Sequence, residues 1–252
     1  EGVDVALAGQ RVATNGQWGG NAEFAAVTAT SLVPVPPDFD WKLASCFSTC
    51  AYTAWLLVHS AAGVKADQWV VVHSAAGAVG SLVIQIAKSA GAQVIGLVGG
   101  EHKFEFVEQF GPDAVIDYLR DDWPDGVKAL TGGRGADVIF DGNAGDRAPM
   151  NLDAVAPLGH IIYLGASAGQ APPVPPSMLI GKSCSMSGFV QYFHQAISGG
   201  AEMAATHKAL ADGSWRIPIE REFDLSDIAE AHRAWEAREL LGRAVIRVGG
   251  EL

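Results

Sequence analysis

The sequence predicts an α/β fold, a doubly wound parallel sheet accompanied by a smaller, mainly β lobe. Runs such as "WVVVH" (69–73) and "HIIYLG" (160–165) are apolar on consecutive residues, which is typical of strands covered on both faces. Segments with apolar residues at helical spacing separate such runs. Strands that alternate with helices favour an open parallel sheet, and 252 residues are enough to bury a core.

The segment 1–36 predicts short strands and turns. Its strand candidates are "DVAL", "QRVAT", "AEFAAV" and "LVPVP", separated by Gly, Asn and Pro. A helical period follows in "DFDWKLASCFSTCAYTAWLLVHSAAGV", where Gly63 is the expected stop.

The segment 69–190 predicts the sheet. After the first strand, 78–90 places its apolar residues on one face of a helix, and "HKFEFVEQFG" predicts another helix that ends at Gly111. A short helix is expected through Ala129. Further strands are predicted at 93–98, 114–118, 136–141, 160–165 and 184–190.

The remaining segments predict one loop, two helices and a closing strand. The proline-rich stretch "ASAGQAPPVPPS" (166–177) cannot join a sheet and predicts an ordered loop. One helix ends at Gly213, and a second, "DLSDIAEAHRAWEAREL", is expected to begin at an N-cap, Ser226. Residues 243–248 predict the last strand.

The composition of the chain indicates which kinds of molecule it can bind. The chain carries 28 acidic and 17 basic residues, so its net charge of −11 disfavours nucleic acid and anionic membranes. No apolar run is long enough to predict a transmembrane helix. Three cysteines do not make a disulfide framework and predict a reducing, cytoplasmic setting. A small-molecule ligand is expected, and local donors must hold any phosphate it carries.

The loop "SAAGAVG" predicts a dinucleotide site. It fits the pattern A-x-G-x-x-G through Ala75, Gly77 and Gly80, between a predicted strand and a predicted helix. Small residues allow a tight turn and close approach of a pyrophosphate to the backbone, while the helix start supplies free N–H groups. The alternative is an ordinary small-residue turn, but the order of strand, motif, helix and second strand favours a dinucleotide.

The end of the second strand, "LVGGEHK", predicts which dinucleotide binds. Gly99 and Gly100 leave room for a 2′-phosphate on the adenosine ribose, and Lys103 supplies a positive charge for it. The alternative is a solvated pair at a helix start, in which Glu101 only favours the first turn. The pattern favours NADPH over NADH.

Several motifs together resemble one protein family. These motifs are similar to those of the medium-chain dehydrogenase/reductase superfamily. They are "GQRV", "GGNAEFAAV", "LVPVPPDFD", "TAWLLV", the 70–98 segment, "VIDY", "FDGNAG", "IIYLGASAG" and "GRAVIRV". Within it they resemble the zinc-independent quinone oxidoreductase (zeta-crystallin-like) and enoyl reductase branch. The resemblance runs the length of the chain. It implies a Rossmann domain with a GroES-like substrate lobe whose N-terminal part is absent here.

The resemblance also implies a set of cofactor-binding residues. The pyrophosphate would border the loop, the 2′-phosphate would lie by Lys103 and Tyr118, and the nicotinamide half would be lined by Thr53 and residues after later strands. The full set is Thr53, Ser74, Ala75, Ala76, Gly77, Ala78, Val79, Gly80, Gly99, Gly100, Lys103, Tyr118, Asn143, Gly165, Ala166 and Phe189. No catalytic residue is assigned.

Three positions depart from the family pattern. Gln10 stands where Asp is frequent, Gly100 replaces a frequent Ser or Thr, and Arg243 replaces a frequent Lys. The change at Gly100 removes a hydroxyl from the expected phosphate site.

No metal is expected. The four-cysteine lobe of zinc-containing members has no counterpart between "QRV" and "GGNAEF". Cys46 and Cys50 could bind a metal only with two further ligands, and buried structural thiols are the favoured interpretation.

The predicted activity is hydride transfer from NADPH to a quinone or an α,β-unsaturated carbonyl compound, with residues 54–190 binding the cofactor. Residues 1–53 and 191–252 would form the substrate lobe. A zinc-free alcohol dehydrogenase of the same fold and a nucleotide-binding relative without efficient turnover are the alternatives. A homodimer is expected through the edge strand at 184–190.

Overall fold

The computed structural model describes residues 4–15 and 19–249. The N-terminal part of the chain contains a two-stranded antiparallel sheet. Its strands are β1 (Val12–Thr14) and β2 (Leu32–Pro34). The strand predicted for "DVAL" is wrong, because Val5–Leu7 forms a 3₁₀ turn capped by the Asp4 carboxylate. The strand predicted for "AEFAAV" is also wrong: residues 22–27 pair with no strand of the described chain, and Phe24 is exposed.

Two helices lead into the main sheet. α1 (Trp41–Ala44) is a single turn, and α2 (Phe47–Leu56) is almost entirely buried. The helix widens to a π-turn over Leu57–Ala61 and ends before Gly63, which adopts a left-handed conformation as predicted. The predicted domain boundary between residues 53 and 54 falls inside α2, and the division into domains stays a prediction.

The centre of the molecule is a six-stranded parallel sheet, as the apolar runs predict. Its strands are β3 (Trp69–Val72), β4 (Gln93–Val98), β5 (Ala114–Asp117), β6 (Ala136–Asp141), β7 (Val155–Tyr163) and β8 (Ser185–Gly188). The strand order is β5-β4-β3-β6-β7-β8. The chain therefore reverses direction across the sheet between β3 and β6, and this switch point is where doubly wound sheets bind ligands.

Helices cover both faces of this sheet. They are α3 (Ala78–Ser89), α4 (Phe104–Glu108), α5 (Trp123–Leu130), α6 (Asn151–Ala154) and α7 (Pro176–Lys182). Alternate residues of β3 enter different cores: Val70 and Val72 pack in one hydrophobic cluster, and Val71 packs in the other. This two-sided burial explains the continuous apolar run of the strand.

β7 begins five residues before the predicted start at residue 160. Val155 already pairs with Ala136, and a register shift accommodates the stretch "PLG", in which Leu158 has a left-handed backbone. Proline and glycine interrupt the apolar pattern there, so the sequence pattern does not indicate the first part of the strand.

The C-terminal quarter contains three helices and a small parallel sheet. Its members are α8 (Gln191–Ser198), α9 (Ala201–Ala211), β9 (Ile219–Asp224), α10 (Ile228–Glu236) and β10 (Arg243–Arg247), with β9 paired to β10. The N-cap predicted at Ser226 is wrong, because Leu225–Asp227 is a 3₁₀ turn and α10 starts after Asp227. Within the described part of the chain, no helix has the length and apolar content needed to cross a membrane.

Candidate active site

A cavity of about 550 Å³ lies between the carboxyl ends of the sheet strands and the α10–β10 segment. Sheet-side residues that line it are Ser74, Ala76, Gly77, Val98, Gly99, Lys103, Tyr118, Asn143 and Ser167. Residues on the other side are Ala231, His232, Trp235, Glu236, Arg238, Leu240, Gly242, Arg243, Ala244 and Ile246. We call these the sheet wall and the α10–β10 wall. The volume suits a small-molecule ligand.

The glycine loop of the sheet wall, residues 74–80, joins β3 to α3. Gly77 donates its N–H to the Ser74 carbonyl oxygen at 2.8 Å, and Ser74 has a left-handed φ of 52°. A Cβ atom at Gly80 would lie 2.2 Å from the Ser74 carbonyl oxygen, so only glycine lets α3 approach the loop this closely. The first turn of α3 has N–H groups without intrahelical acceptors, which is the arrangement that binds anions.

The end of β4 provides space beside a positive charge. A Cβ at Gly99 would lie 2.9 Å from the Tyr118 hydroxyl, so a side chain there would crowd Tyr118. Lys103 Nζ donates to the Arg238 carbonyl oxygen at 3.4 Å, which brings the two cationic residues together. Partial burial and the neighbouring Arg238 guanidinium lower the pKa of Lys103.

These two cations have no counter-ion in the described part of the chain. Arg238 Nη2 donates to the Ser167 carbonyl oxygen at 3.3 Å, and neither Arg238 nor Lys103 forms a salt bridge with a described carboxylate. The cavity is lined by Lys103, Arg238 and Arg243 against a single carboxylate, Glu236. A protein with a net charge of −11 thus has a locally positive cavity, which is suited to a phosphate-bearing ligand.

Three loops meet at the switch point of the sheet. Ser74, after β3, donates its hydroxyl to Asn143 Oδ1 at 2.6 Å, and Asn143 follows β6. Ser167, after β7, donates to the same oxygen at 3.1 Å. Asn143 is buried, yet its Nδ2 has no hydrogen-bond partner among the described residues.

A buried polar chain supports these loops from below. His73 Nε2 is 2.8 Å from Asn151 Oδ1, and Asn151 Nδ2 donates to Asp141 Oδ2 at 2.7 Å. Asp141 Oδ1 in turn accepts the backbone N–H groups of Asn143 and Ala144. Burial lowers the pKa of His73, so the neutral ring is favoured and it donates to Asn151 through Nε2. This series of buried hydrogen bonds holds the turn on which Asn143 lies.

The cavity contains only part of the predicted cofactor set. Ser74, Ala76, Gly77, Gly99, Lys103, Tyr118 and Asn143 line it. The other nine predicted residues are not among the lining residues of the cavity: Thr53, Ala75, Ala78, Val79, Gly80, Gly100, Gly165, Ala166 and Phe189. Gly80 acts through packing, while the cofactor contacts assigned to the set stay predictions.

Two of the residues outside the cavity already have protein partners. Thr53 Oγ1 donates to Gln191 Oε1 at 2.7 Å, so its hydroxyl is engaged by α8. Phe189 is buried and its ring stacks on His194 with centroids 4.8 Å apart.

Most of the α10–β10 wall, together with Ser167 of the sheet wall, lies outside the site predicted from the sequence. Arg238, Trp235 and Ser167 were not assigned to the site, and Arg243 was noted only as a departure from the family pattern. No local pattern marks them, because each depends on a segment far away in sequence. Trp235 is 68% exposed, and this exposed aromatic side chain borders the cavity only because of the fold.

The cysteines are free thiols. Cys46, Cys50 and Cys184 are all buried, and burial raises the pKa of Cys46 to about 12. Over residues 4–15 and 19–249, no group of three or more His, Cys, Asp or Glu side chains could hold a metal ion. The cytoplasmic location inferred from the cysteine content stays a prediction.

The chain is similar to known dehydrogenases in sequence. Residues 78–206 match the family model described as zinc-binding dehydrogenase. A quinone oxidoreductase-like protein 2 homolog of Nematostella vectensis is 32% identical over 92% of this chain and 64% of its own length. A 2-haloacrylate reductase of a Burkholderia species is 29% identical over 86% of this chain and 67% of its own length. The chain thus spans about two thirds of the length of these relatives.

The fold is similar as well. A mycobacterial protein solved in complex with NADPH superposes with a TM-score of 0.80 at 28% sequence identity. The match covers 86% of this chain and 69% of that one.

Proposed function

This chain belongs to the zinc-binding dehydrogenase family, and on that premise we propose that it is an NADPH-dependent oxidoreductase. Its relatives place it in the quinone oxidoreductase branch of the medium-chain dehydrogenase/reductase superfamily. The proposed reaction is hydride transfer to a quinone or an α,β-unsaturated carbonyl acceptor. The relative that acts on a haloacrylate supports the second class, because a haloacrylate carries a conjugated carbon–carbon double bond.

One observation carries the choice of cofactor. Lys103 and Arg238 converge at the end of β4 without a described carboxylate partner. Two unpaired cations at this position suit the 2′-phosphate that distinguishes NADPH from NADH. Gly99 and Tyr118 line the cavity beside them, and any side chain at residue 99 would crowd Tyr118.

The residues present suit the remaining parts of the cofactor. The glycine loop and the start of α3 would hold the pyrophosphate, and the unpartnered Asn143 amide at the switch point is a donor for a ligand oxygen. When bound, the nicotinamide supplies the hydride. The chain's own part is to bind, to orient and to exclude water. The two walls of the cavity are placed to do this, and catalytic residues for the acceptor stay unassigned.

The test is a titration of both cofactors against the wild type and Lys103→Ala. A charge-assisted hydrogen bond to phosphate contributes about 1.5–3 kcal/mol, so NADPH should bind roughly ten- to hundredfold more weakly to the variant. NADH lacks the phosphate and should be nearly unaffected. Lys65→Ala, at an exposed lysine outside the cavity, is the matched control. Equal losses for both cofactors, or tighter NADH binding by the wild type, would contradict the proposal.

Turnover separates the rival activities. Oxidation of NADPH with a panel of quinones and enones is the expected result. NADPH binding without turnover would favour a nucleotide-binding relative, and reduction of NADP⁺ by simple alcohols would favour an alcohol dehydrogenase. Zinc is proposed to be dispensable, and elemental analysis that finds about one tightly held zinc per chain would contradict this.

We also propose a homodimer formed through β8. This strand is the last of the described sheet, so one edge of its backbone is open to pairing. Ile180 on α7 and Val190 at the start of α8 are exposed apolar residues beside it. Sedimentation velocity at micromolar concentration should show a dimer, and a monomer alone would disprove the proposal.

A further inference from the structure

Helix α8 has its apolar residues turned outward. None of its eight residues is buried, and Tyr192 and Phe193 are 73% and 67% exposed. Polar side chains instead attach the helix to the body of the molecule: Gln191 bonds to α2, and His194 Nδ1 lies 2.9 Å from Ser60 Oγ in the π-turn. A surface helix normally places its apolar residues against the core. This reversed arrangement indicates that the outer face of α8 contacts a further molecule.

α8 lies where parallel strands carry their ligands, at the carboxyl ends of the sheet. Two residues separate it from the end of β8, and Gln191 Nε2 donates to the Ser48 carbonyl oxygen of α2 at 3.1 Å. In the strand order β8 follows β7 and is farthest from β4 and β5, so α8 lies on the side of the site away from Lys103. With the adenosine placed by Lys103, the nicotinamide and the acceptor lie toward α8.

The segments around this end of the site contain no Asp, Glu, Lys or Arg. They are 47–64 (α2 and the π-turn), 164–175 (the loop after β7) and 189–201 (α8 and its flanks), in a chain with 28 acidic and 17 basic residues. Lys182, between the last two segments, donates to the Val155 carbonyl oxygen at 2.7 Å. Val155 is the first residue of β7, so this lysine lies at the opposite edge of the sheet.

The two ends of the site therefore differ in charge. Lys103, Arg238 and Arg243 line the cavity, whereas the polar side chains that attach α8 are neutral and bond to neutral partners. A carboxylate or phosphate on the acceptor would find no cation beside α8 among the described residues, and an unpaired charge taken out of water is costly. Exposed aromatic rings instead suit a planar, uncharged molecule.

We propose that the outer face of α8, with Tyr192 and Phe193, contacts the acceptor and selects uncharged acceptors over those that carry a carboxylate or a phosphate. The inference rests on the proposed oxidoreductase function and narrows its acceptors to quinones and to unsaturated ketones, aldehydes and esters. It separates this chain from the relative that acts on a haloacrylate, because a haloacrylate is the anion of a carboxylic acid.

The test uses two acceptors that differ in a remote charge. One is benzylideneacetone with a para-carboxymethyl group, and the other is its methyl ester. A methylene separates the carboxylate from the ring, so the enone that accepts the hydride is nearly the same in both. With wild-type protein and saturating NADPH at pH 8, kcat/KM should be about ten- to a hundredfold higher for the ester.

Phe193→Lys places a cation on the proposed acceptor face. Attraction to the carboxylate should reduce the preference for the ester at least about fivefold. NADPH affinity, measured by calorimetry, should stay within about twofold, because α8 does not line the cavity. Leu130→Lys, at an exposed apolar residue of α5, is the matched control and should leave the preference unchanged.

Equal kcat/KM for the two compounds, or an unchanged ratio in Phe193→Lys, would overturn the inference. A loss of self-association in Phe193→Lys with an unchanged ratio would assign this face to a second copy of the chain and overturn it as well. Failure of the wild type to oxidise NADPH with any quinone or enone would instead contradict the proposed function.

Discussion

The two walls of the cavity are built by different means. The sheet wall consists of residues at strand ends and in the glycine loop, and its Asn143 is buried and supported from below by the buried side chains of Asp141 and His73. The α10–β10 wall presents long side chains, among them Trp235 and Arg238, on an exposed surface. The first wall offers a fixed shape, preset donors and the charge of Lys103, and the second wall offers further charge on exposed side chains that can adjust. The comparison predicts that the sheet wall tolerates change poorly and that the other wall changes affinity without affecting the fold.

The largest effect is expected from Gly80→Ala, at a residue that lies in the glycine loop and packs directly behind the sheet wall. Its Cβ would lie 2.2 Å from the Ser74 carbonyl oxygen and 3.0 Å from the Ala75 Cα, and neither backbone atom can move without shifting α3. We expect the free energy of unfolding to fall by about 3 kcal/mol and NADPH to bind at least about a hundredfold more weakly. Chemical denaturation and calorimetry measure the two losses.

The matched control for that change is Gly181→Ala on α7, where an added Cβ meets nothing within 4 Å. It should leave stability unchanged or raise it slightly, because alanine favours a helix over glycine. Equal stability of Gly80→Ala and the wild type would mean that the sheet wall is less rigid than its packing indicates.

Arg238→Ala tests the α10–β10 wall and should have the second largest effect. Loss of one charge-assisted bond should weaken NADPH binding about ten- to hundredfold, while NADH binding and the thermal midpoint stay nearly unchanged. Arg233→Ala, at an exposed arginine of α10 that is five residues before Arg238 and outside the cavity, is the control.

The double variant with Lys103→Ala sharpens this test. Because Lys103 and Arg238 are in contact, their combined loss should differ from the sum of the single losses. Strict additivity would show that the two residues bind different groups of the ligand. A large loss of stability in Arg238→Ala would contradict the distinction between the walls.

The smallest effect concerns pH and the buried His73. Burial lowers its pKa below the ordinary value of about 6.5, so the folded protein binds fewer protons there than the unfolded chain does. The stability that the neutral ring contributes is therefore complete above about pH 6.5 and is lost as the pH falls below it. His73→Gln can still donate to Asn151 but does not titrate. The substitution should therefore reduce the fall in the free energy of unfolding below pH 6.5 by up to about 1.4 kcal/mol per pH unit. The free energy of unfolding is measured by urea unfolding at several pH values between 6.5 and 5. If it falls with pH equally steeply in the wild type and in His73→Gln, the lowered pKa of His73 is refuted.

Sequence alone determined most of the sheet wall, since the signals for its strands and its glycine loop are local and periodic. The strands at 93–98 and 136–141 have the predicted bounds, and the glycine loop lies between the predicted strand and helix. A buried parallel strand must be apolar on both faces, and a close approach of helix and loop requires glycine. Both requirements act on consecutive residues, so they are visible in one stretch of sequence.

Strand β9 shows where local patterns fail. Its sequence, "IEREFD", is mostly charged and carries no apolar run, yet it pairs with β10 along Ile219–Asp224. Its backbone hydrogen bonds depend on a partner strand that arrives later in the chain, and side-chain periodicity does not record them.

Only the tertiary structure decided which side chains meet in the cavity. Lys103 reaches Arg238 across 135 residues, and Ser167 reaches Asn143 across 24. The Thr53 hydroxyl donates to Gln191, 138 residues away, and its expected contact with the nicotinamide stays a prediction. Such meetings depend on how helices and strands pack and on where the chain crosses the sheet, and no pattern within a single segment encodes them. The glycine loop and Lys103 are thus visible in consecutive residues, whereas the contact between Lys103 and Arg238 is a property of the folded chain.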